Sequence, residues 1–382
     1  MRRSWIPIAA CVIAVTAASP QASAEPSTAI GSPLTVETAS PLDPTLAQEL
    51  SRASNFTYQS TFGNETPTVV SGALYEPKGA PPAGGWPLIA YAHGTSGISE
   101  ECAPTHSPDL FQNVPIVKAL VEHGWAVAAT DYQGLGTPGQ HRYLDSRTEA
   151  RSVLDAARAA RRMNPTLSDR VMLYGVSQGA QATQAAAEVA GNYAPELKIQ
   201  GNAMDSPALN LVPFVAAIDS KSLTATQYAV LPLVLVGVAA SDPTFRPSDV
   251  LHGLSQHDID VLVSCTGIDN AEKFTIAVGM NPSNAYFATM ESRLEMAKFL
   301  AVNAFPQRPP RVPTFVARGT DDTLILPSWT DPSVTAMRVL GGNVQEVLRP
   351  GVMVVQEMFL RRWIGSSDTS GEGMRASSRR IE

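Results

Sequence analysis

Short apolar runs recur along the chain, each closed by a turn and followed by a stretch with helical spacing. Thr68 to Tyr75 alternates in the manner of a half-buried strand, and Trp86 to Ala92 is apolar throughout and stops at His93-Gly94. Val114 to His123 has the spacing of a helix that ends at Gly124. A second buried strand, Trp125 to Thr130, closes at Asp131-Tyr132 and the turn Gly134-Leu135-Gly136. Ser146 and Glu149 fit an S-x-x-E capping box that opens a long Ala/Arg helix to about Met163. Arg170 to Tyr174 is a third strand and leads into an Ala-rich helix that stops at Gly191-Asn192. Ile199 to Met204, Val312 to Ala317 and Val344 to Leu348 supply three more strands. Between the last two, Asp331 is expected as a helix N-cap, with Pro332 at the first helical position and Gly341-Gly342 at the end. Strands alternating with helices predict an α/β fold, a mostly parallel sheet with helices on both faces.

One segment breaks this rhythm. Residues 207–308 form a long insertion of helical character between core strands, expected as a cap over the carboxyl ends of the strands. Its most apolar run, Tyr228 to Ala240, ends at Ser241-Asp242-Pro243, short of the ~20 residues a bilayer span needs. The core is therefore read as two parts, 25–206 and 309–365. Residues 25–45, rich in Pro, Ser, Thr and Ala, are expected to be a loose lead-in, and the polar tail 366–382 to be disordered.

The first 24 residues have the layout of a cleaved signal peptide. Arg2 and Arg3 precede the uncharged run Trp5 to Ala18, and Ala22-Ser23-Ala24 is a small-residue cleavage site ahead of Glu25. A secreted chain is expected, and cleavage leaves Cys102 and Cys265 as its only cysteines. In an oxidising compartment a disulfide between them is the expectation, with two buried thiols the alternative. The net charge of −7 argues against nucleic acid as a partner. No Cys or His cluster has ligand spacing, so neither metal nor cofactor is expected. The chain is expected to act as a monomer on a lipid or ester, touching a lipid interface transiently and without a stable membrane span.

Gly175-Val176-Ser177-Gln178-Gly179 is a G-x-S-x-G motif seated between an apolar strand and an Ala-rich helix. That context is the nucleophile elbow, in which a serine in a strained backbone conformation needs glycine on either side. Ser177 is the expected nucleophile. His93-Gly94-Thr95 ends the preceding apolar strand, where a loop of this type supplies one oxyanion-hole N–H; Thr95 and Gln178 are the expected pair of donors. His93 itself is expected to brace the loop. Gly319-Thr320-Asp321-Asp322-Thr323 follows a late strand, in the place of the triad acid; Asp322 is the first choice and Asp321 the second.

The run Ala92-His-Gly-Thr-Ser-Gly97, then Glu101-Cys102-Ala-Pro104, Ala129-Thr-Asp-Tyr-Gln-Gly-Leu-Gly136 and Tyr174-Gly-Val-Ser-Gln-Gly-Ala180, resembles the secretory lipase family over about residues 50 to 350. The resemblance implies an α/β-hydrolase core with a helical cap, a cleaved signal peptide, and action on carboxylic esters, often acylglycerols. It also implies that Cys102 pairs with a cap cysteine, here Cys265. The family places its histidine in a Pro-Gly-containing loop after the last strand. Here Arg349-Pro350-Gly351-Val352 is followed by Met353-Val354-Val355, and no histidine lies beyond His257. The stretch from Met353 onward is expected to reflect a frame change or truncation in the coding sequence, which the reading frame past codon 352 tests. His252 and His257 of the cap are the candidate substitutes for the base. The competing expectation is a catalytically impaired relative that binds acyl ligands.

Overall fold

The structure is a computed structural model that describes residues 29–266 and 270–351. The signal peptide, the polar tail and the segment from Met353 lie outside the described residues.

In chain order the elements are β1 (Pro33–Thr38), α1 (Pro44–Ala47), β2 (Leu50–Thr61), β3 (Pro67–Pro77), β4 (Trp86–Ala92), α2 (Val114–Glu122), β5 (Ala126–Thr130), α3 (Ser146–Met163), β6 (Leu167–Val176) and α4 (Gln178–Tyr193). There follow β7 (Lys198–Asp205), α5 (Pro213–Asp219), α6 (Ala225–Ser241), α7 (Gln256–Val263), α8 (Asn270–Gly279), α9 (Met290–Val302), β8 (Thr314–Gly319), α10 (Pro327–Val339) and β9 (Val344–Arg349). The strands form one sheet in the order β1-β2-β3-β5-β4-β6-β7-β8-β9. Pairing is antiparallel from β1 to β5 and parallel from β5 across to β9. The expected mostly parallel sheet is therefore present, with an antiparallel extension at one edge.

Alternation along β4 sends side chains to two cores. Leu88 and Ala90 pack under the Ala-rich faces of α3 and α4, with Ala156, Ala157, Ala182 and Ala186 fully buried. Ile89 and Tyr91 pack on the other face against Val117 and Leu120 of α2. Small residues let α3 and α4 approach the sheet closely, while each buried Leu or Ile contributes about 1.5–3 kcal/mol. The inserted helices α5 to α9 bury their own cluster, including Phe214, Leu231, Leu235, Met296 and Phe299.

The structure corrects four expectations. The lead-in is not loose throughout, because Pro33–Thr38 pairs with β2 as an edge strand. The cap of α3 is Asp145, whose carboxylate accepts from the Thr148 N–H; Glu149 instead turns into the interior. α10 begins at Pro327, so Asp331 and Pro332 lie inside the helix. Arg318, buried in β8, claims Asp331 in an ion pair. α4 runs through Gly191-Asn192 to Tyr193.

Candidate active site

Strand order reverses around β4: the chain goes from β4 to β5 on one side, then crosses to β6 on the other. Ligands of open α/β sheets bind at such a switch point, beyond the carboxyl ends of the strands. The sequence-predicted residues converge there. Ser177 follows β6 directly, Thr95 lies three residues past β4, and Asp322 three residues past β8.

Ser177 has φ 53° and ψ −113°, a strained conformation for a residue with a side chain. Its neighbours hold it there. The Ser177 N–H donates to the Asp205 carbonyl at 2.8 Å, and its own carbonyl accepts from Ala180 at 3.0 Å and Ala208 at 3.3 Å. The flanking glycines permit the turn: a Cβ on Gly175 would sit 2.2 Å from the Gly179 carbonyl oxygen, and one on Gly179 would sit 2.0 Å from that of Ala92. These are backbone clashes with no flexible partner to yield. Gly179→Ala is therefore expected to cost on the order of 3 kcal/mol, read as a lower urea midpoint. An unchanged midpoint would mean that α4 is free to move off β4.

Gly94 lies against the elbow, since a Cβ there would meet the Ser177 Cβ at 3.8 Å. The loop carrying Thr95 thus borders the serine. The Gln178 N–H is the first of α4 and has no intrahelical acceptor, so it is available to an oxyanion. His93 braces the loop as expected: it is buried, its Nδ1 contacts the Gly94 carbonyl, and burial pushes its pKa down. The Tyr132 hydroxyl donates to the His93 carbonyl at 2.8 Å, and the Tyr143 and Thr95 hydroxyls lie 2.7 Å apart.

Asp322 is buried. Its Oδ1 accepts the Leu324 and Ile325 amides at 2.8 and 2.9 Å, leaving Oδ2 without a hydrogen-bond partner among the described residues. Burial raises its pKa, and the two amides oppose that rise. Asp321 has a different place: its N–H donates to the Gly351 carbonyl, and its Oδ2 accepts the Gly351 N–H at 2.8 Å. The loop leaving β9 is thus held against the acid turn.

All six histidines are among the described residues. The cap histidines are engaged elsewhere. His252 stacks on Tyr286 at 3.7 Å and His257 pairs with Glu272 at 2.9 Å. The structure therefore does not bring either to Ser177 or Asp322. His123 contacts the Ala119 carbonyl, and His106 is exposed on a short turn.

Cys102 and Cys265 form a disulfide, and the adjoining Thr266 donates its N–H to Ser96 and its hydroxyl to the Thr95 carbonyl, both at 2.9 Å. The bond closes a separation of 163 residues. Replacing both cysteines with serine is expected to cost about 5 kcal/mol in the loop-entropy account, seen as a lower denaturation midpoint. A midpoint equal to that of the parent would show that the cap holds to the loop without it.

Sequence reasoning missed three residues here. Asp205 ends β7 beside Ser177; among the described residues its buried carboxyl accepts from the Ser206 hydroxyl alone, and burial pushes its pKa up to about 7. Glu149 and His141 are buried behind Gln178.

Residues 109–337 match the secretory lipase family. The chain belongs to that family. Among its relatives, a probable inactive lipase of Mycobacterium tuberculosis is 29% identical over 177 residues, 42% of this chain and 37% of that protein. The trichothecene C-3 esterase of Fusarium sporotrichioides is 28% identical over 245 residues, 59% of this chain and 52% of that one. The matched stretches thus span about half or less of these two relatives. In fold, this secretory lipase family member is similar to the rice cell wall degrading esterase LipA from Xanthomonas oryzae. The TM-score is 0.69 at 22% identity, covering 84% of this chain and 91% of that one. The α/β-hydrolase fold expected from the motifs is the fold observed.

Proposed function

We propose that this chain is a secreted carboxylic-ester hydrolase that works through an acyl-enzyme on Ser177. The observation that carries this is the strained Ser177 at the switch point, bordered by the Gly94-Thr95 loop. Ser177 Oγ attacks the ester carbonyl, and the amides of Thr95 and Gln178 hold the oxyanion as it forms. Collapse expels the alcohol, which takes up the proton that Ser177 gave up, and leaves the acyl group on Ser177; water then releases the acid and returns a proton to Ser177. Asp322 is the acid that orients a base. Residues 207–308 act as the cap. Two contacts support this role: the α6 segment bonds the acid loop, Thr224 to the Thr323 carbonyl at 2.8 Å, and Thr266 bonds the oxyanion loop. Exposed Phe274, Val278, Met290 and Leu294 on α8 and α9 suit contact with a lipid interface. Export by cleavage after Ala24 belongs to the same proposal.

A second reading, a catalytically impaired relative that holds acyl ligands, is favoured by one observation. Five of the six histidines have a ring nitrogen in contact with a group other than Ser177 or Asp322, and the sixth is exposed. Turnover of short- and long-chain nitrophenyl esters by the chain from Glu25 onward separates the two. Turnover that Ser177→Ala removes supports the hydrolase; ester binding with no turnover above that variant supports the second reading.

A further inference from the structure

Behind the oxyanion loop and the elbow lies a buried polar cluster that the proposed chemistry does not use. Gln178, His141 and Glu149 are each 1% exposed. The Gln178 side-chain amide donates to Glu149 Oε1 at 2.7 Å and lies 3.1 Å from His141 Nε2. His141 Nδ1 lies 2.8 Å from the Gln133 carbonyl, which only accepts, so the ring proton is on Nδ1 and Nε2 accepts from Gln178. Both amide protons of Gln178 are thus accounted for. Glu149 Oε1 also accepts the Leu144 N–H at 2.9 Å, while Oε2 is buried without a hydrogen-bond partner among the described residues. The cluster reaches the other oxyanion segment as well. Tyr132 stacks on His141 and bonds the His93 carbonyl, and Tyr143 meets His141 edge-on and bonds Thr95.

We propose that Glu149 is a positioning residue of the oxyanion hole: through the Gln178 side chain it sets the aim of the Gln178 backbone N–H and the charge behind it. The proposal rests on the reading of Ser177 as an ester-hydrolase nucleophile. Side chain and backbone belong to one residue, so a carboxyl that fixes the first restrains the second. The charge state of that carboxyl then matters. A neutral acid leaves the positive end of α4 facing the oxyanion; a buried carboxylate opposes the charge that develops there.

The groups facing Glu149 are His141, Tyr132, Tyr143 and the Asp145 carboxylate that caps α3. Burial keeps the first three neutral over the working range, with His141 pushed down to about 4 and both tyrosines raised. Burial pushes Glu149 from 4.5 up to about 8, so it is the group of this cluster that changes charge in mild alkali. Its native pKa lies above the unfolded value. Its contribution to stability is therefore complete below pH 4.5 and is lost as the pH rises through about 8.

The test follows Glu carboxyl carbons and the Gln178 backbone amide by NMR across pH in the full chain, alongside nitrophenyl-ester kinetics. We expect one Glu carboxyl to titrate near pH 8, to vanish in Glu149→Gln, and to carry the Gln178 amide shift with the same midpoint. Glu149→Leu is expected to lower kcat by up to ~10²-fold with KM within about threefold. Glu149→Gln, the same shape without the charge, should recover part of that loss and flatten the decline above pH 8. A Gln178 amide indifferent to Glu149, or an unchanged kcat in folded Glu149→Leu, overturns the proposal. If no form of the chain turns over ester, the ester-hydrolase reading fails while the NMR coupling still decides the placement of Glu149.

Discussion

Met353→His is expected to raise kcat for a short nitrophenyl ester by roughly 10²-fold or more, because in the proposed reading Ser177 and Asp322 lack only the base of a serine triad. Asp322 accepts two amides on one oxygen and has no hydrogen-bond partner on the other among the described residues, which suits the proposed role of an acid that orients an imidazole. The loop leaving β9 is fixed to the acid turn by the paired bonds between Asp321 and Gly351 and by the Thr320 N–H to the Arg349 carbonyl. Gly351 is therefore held against the turn that carries Asp322. β6 and β8 are separated by β7, so the strands that lead into Ser177 and Asp322 lie two strand spacings apart, roughly 10 Å. Val352→His is the companion variant. No gain in either variant would place the missing element elsewhere.

Ser177→Ala has an effect that depends on that background. Members of a triad act as a unit, and removing one costs nearly as much as removing all of them, about 10⁶ in kcat. In the histidine-bearing chain the serine variant is expected to lose everything that the histidine gained. In the parent chain, if no described histidine serves as base, the expected loss is far smaller in fold terms, because such a site retains only ~10³–10⁴ over water to begin with. A loss near 10⁶-fold in the parent would mean that another group already serves as base. His141 and His93 would then have to leave their carbonyl partners to do so.

Much of this arrangement is legible in the sequence, for physical reasons that also mark where legibility ends. Buried parallel strands such as Trp86–Ala92 and Ala126–Thr130 read as unbroken apolar runs because both faces are covered. The elbow is legible because its glycines are demanded by backbone contact, independent of what surrounds them. β1 was harder to read: Pro33–Thr38 lies at the sheet edge, its brief Leu34-Thr35-Val36-Glu37 alternation is wholly exposed, and the flanking Pro, Ser and Thr read as a loose lead-in. β2 hides its alternation because Ser54 and Ser60 occupy buried positions beside Phe56 and Tyr58. Glu149 misled in the same way. Its spacing from Ser146 suits a cap, and only the fold shows that Asp145 caps the helix and frees Glu149 to meet Gln178. Asp205 closes a strand whose apolar run ends one residue earlier, so its approach to Ser177 depends on pairing between β6 and β7. Local pattern reports burial and turn chemistry; partners brought together by the sheet carry no local mark.

The most direct measurement is peptide mapping by mass spectrometry after the chain is incubated with a short nitrophenyl ester and quenched. A site with an intact oxyanion hole and no efficient base should release its acyl group slowly and accumulate it. The account predicts a single acyl group on the peptide that contains Ser177, absent in Ser177→Ala. Ester cleavage with that peptide unmodified at every quench time, or an acyl group on a different residue, would contradict it.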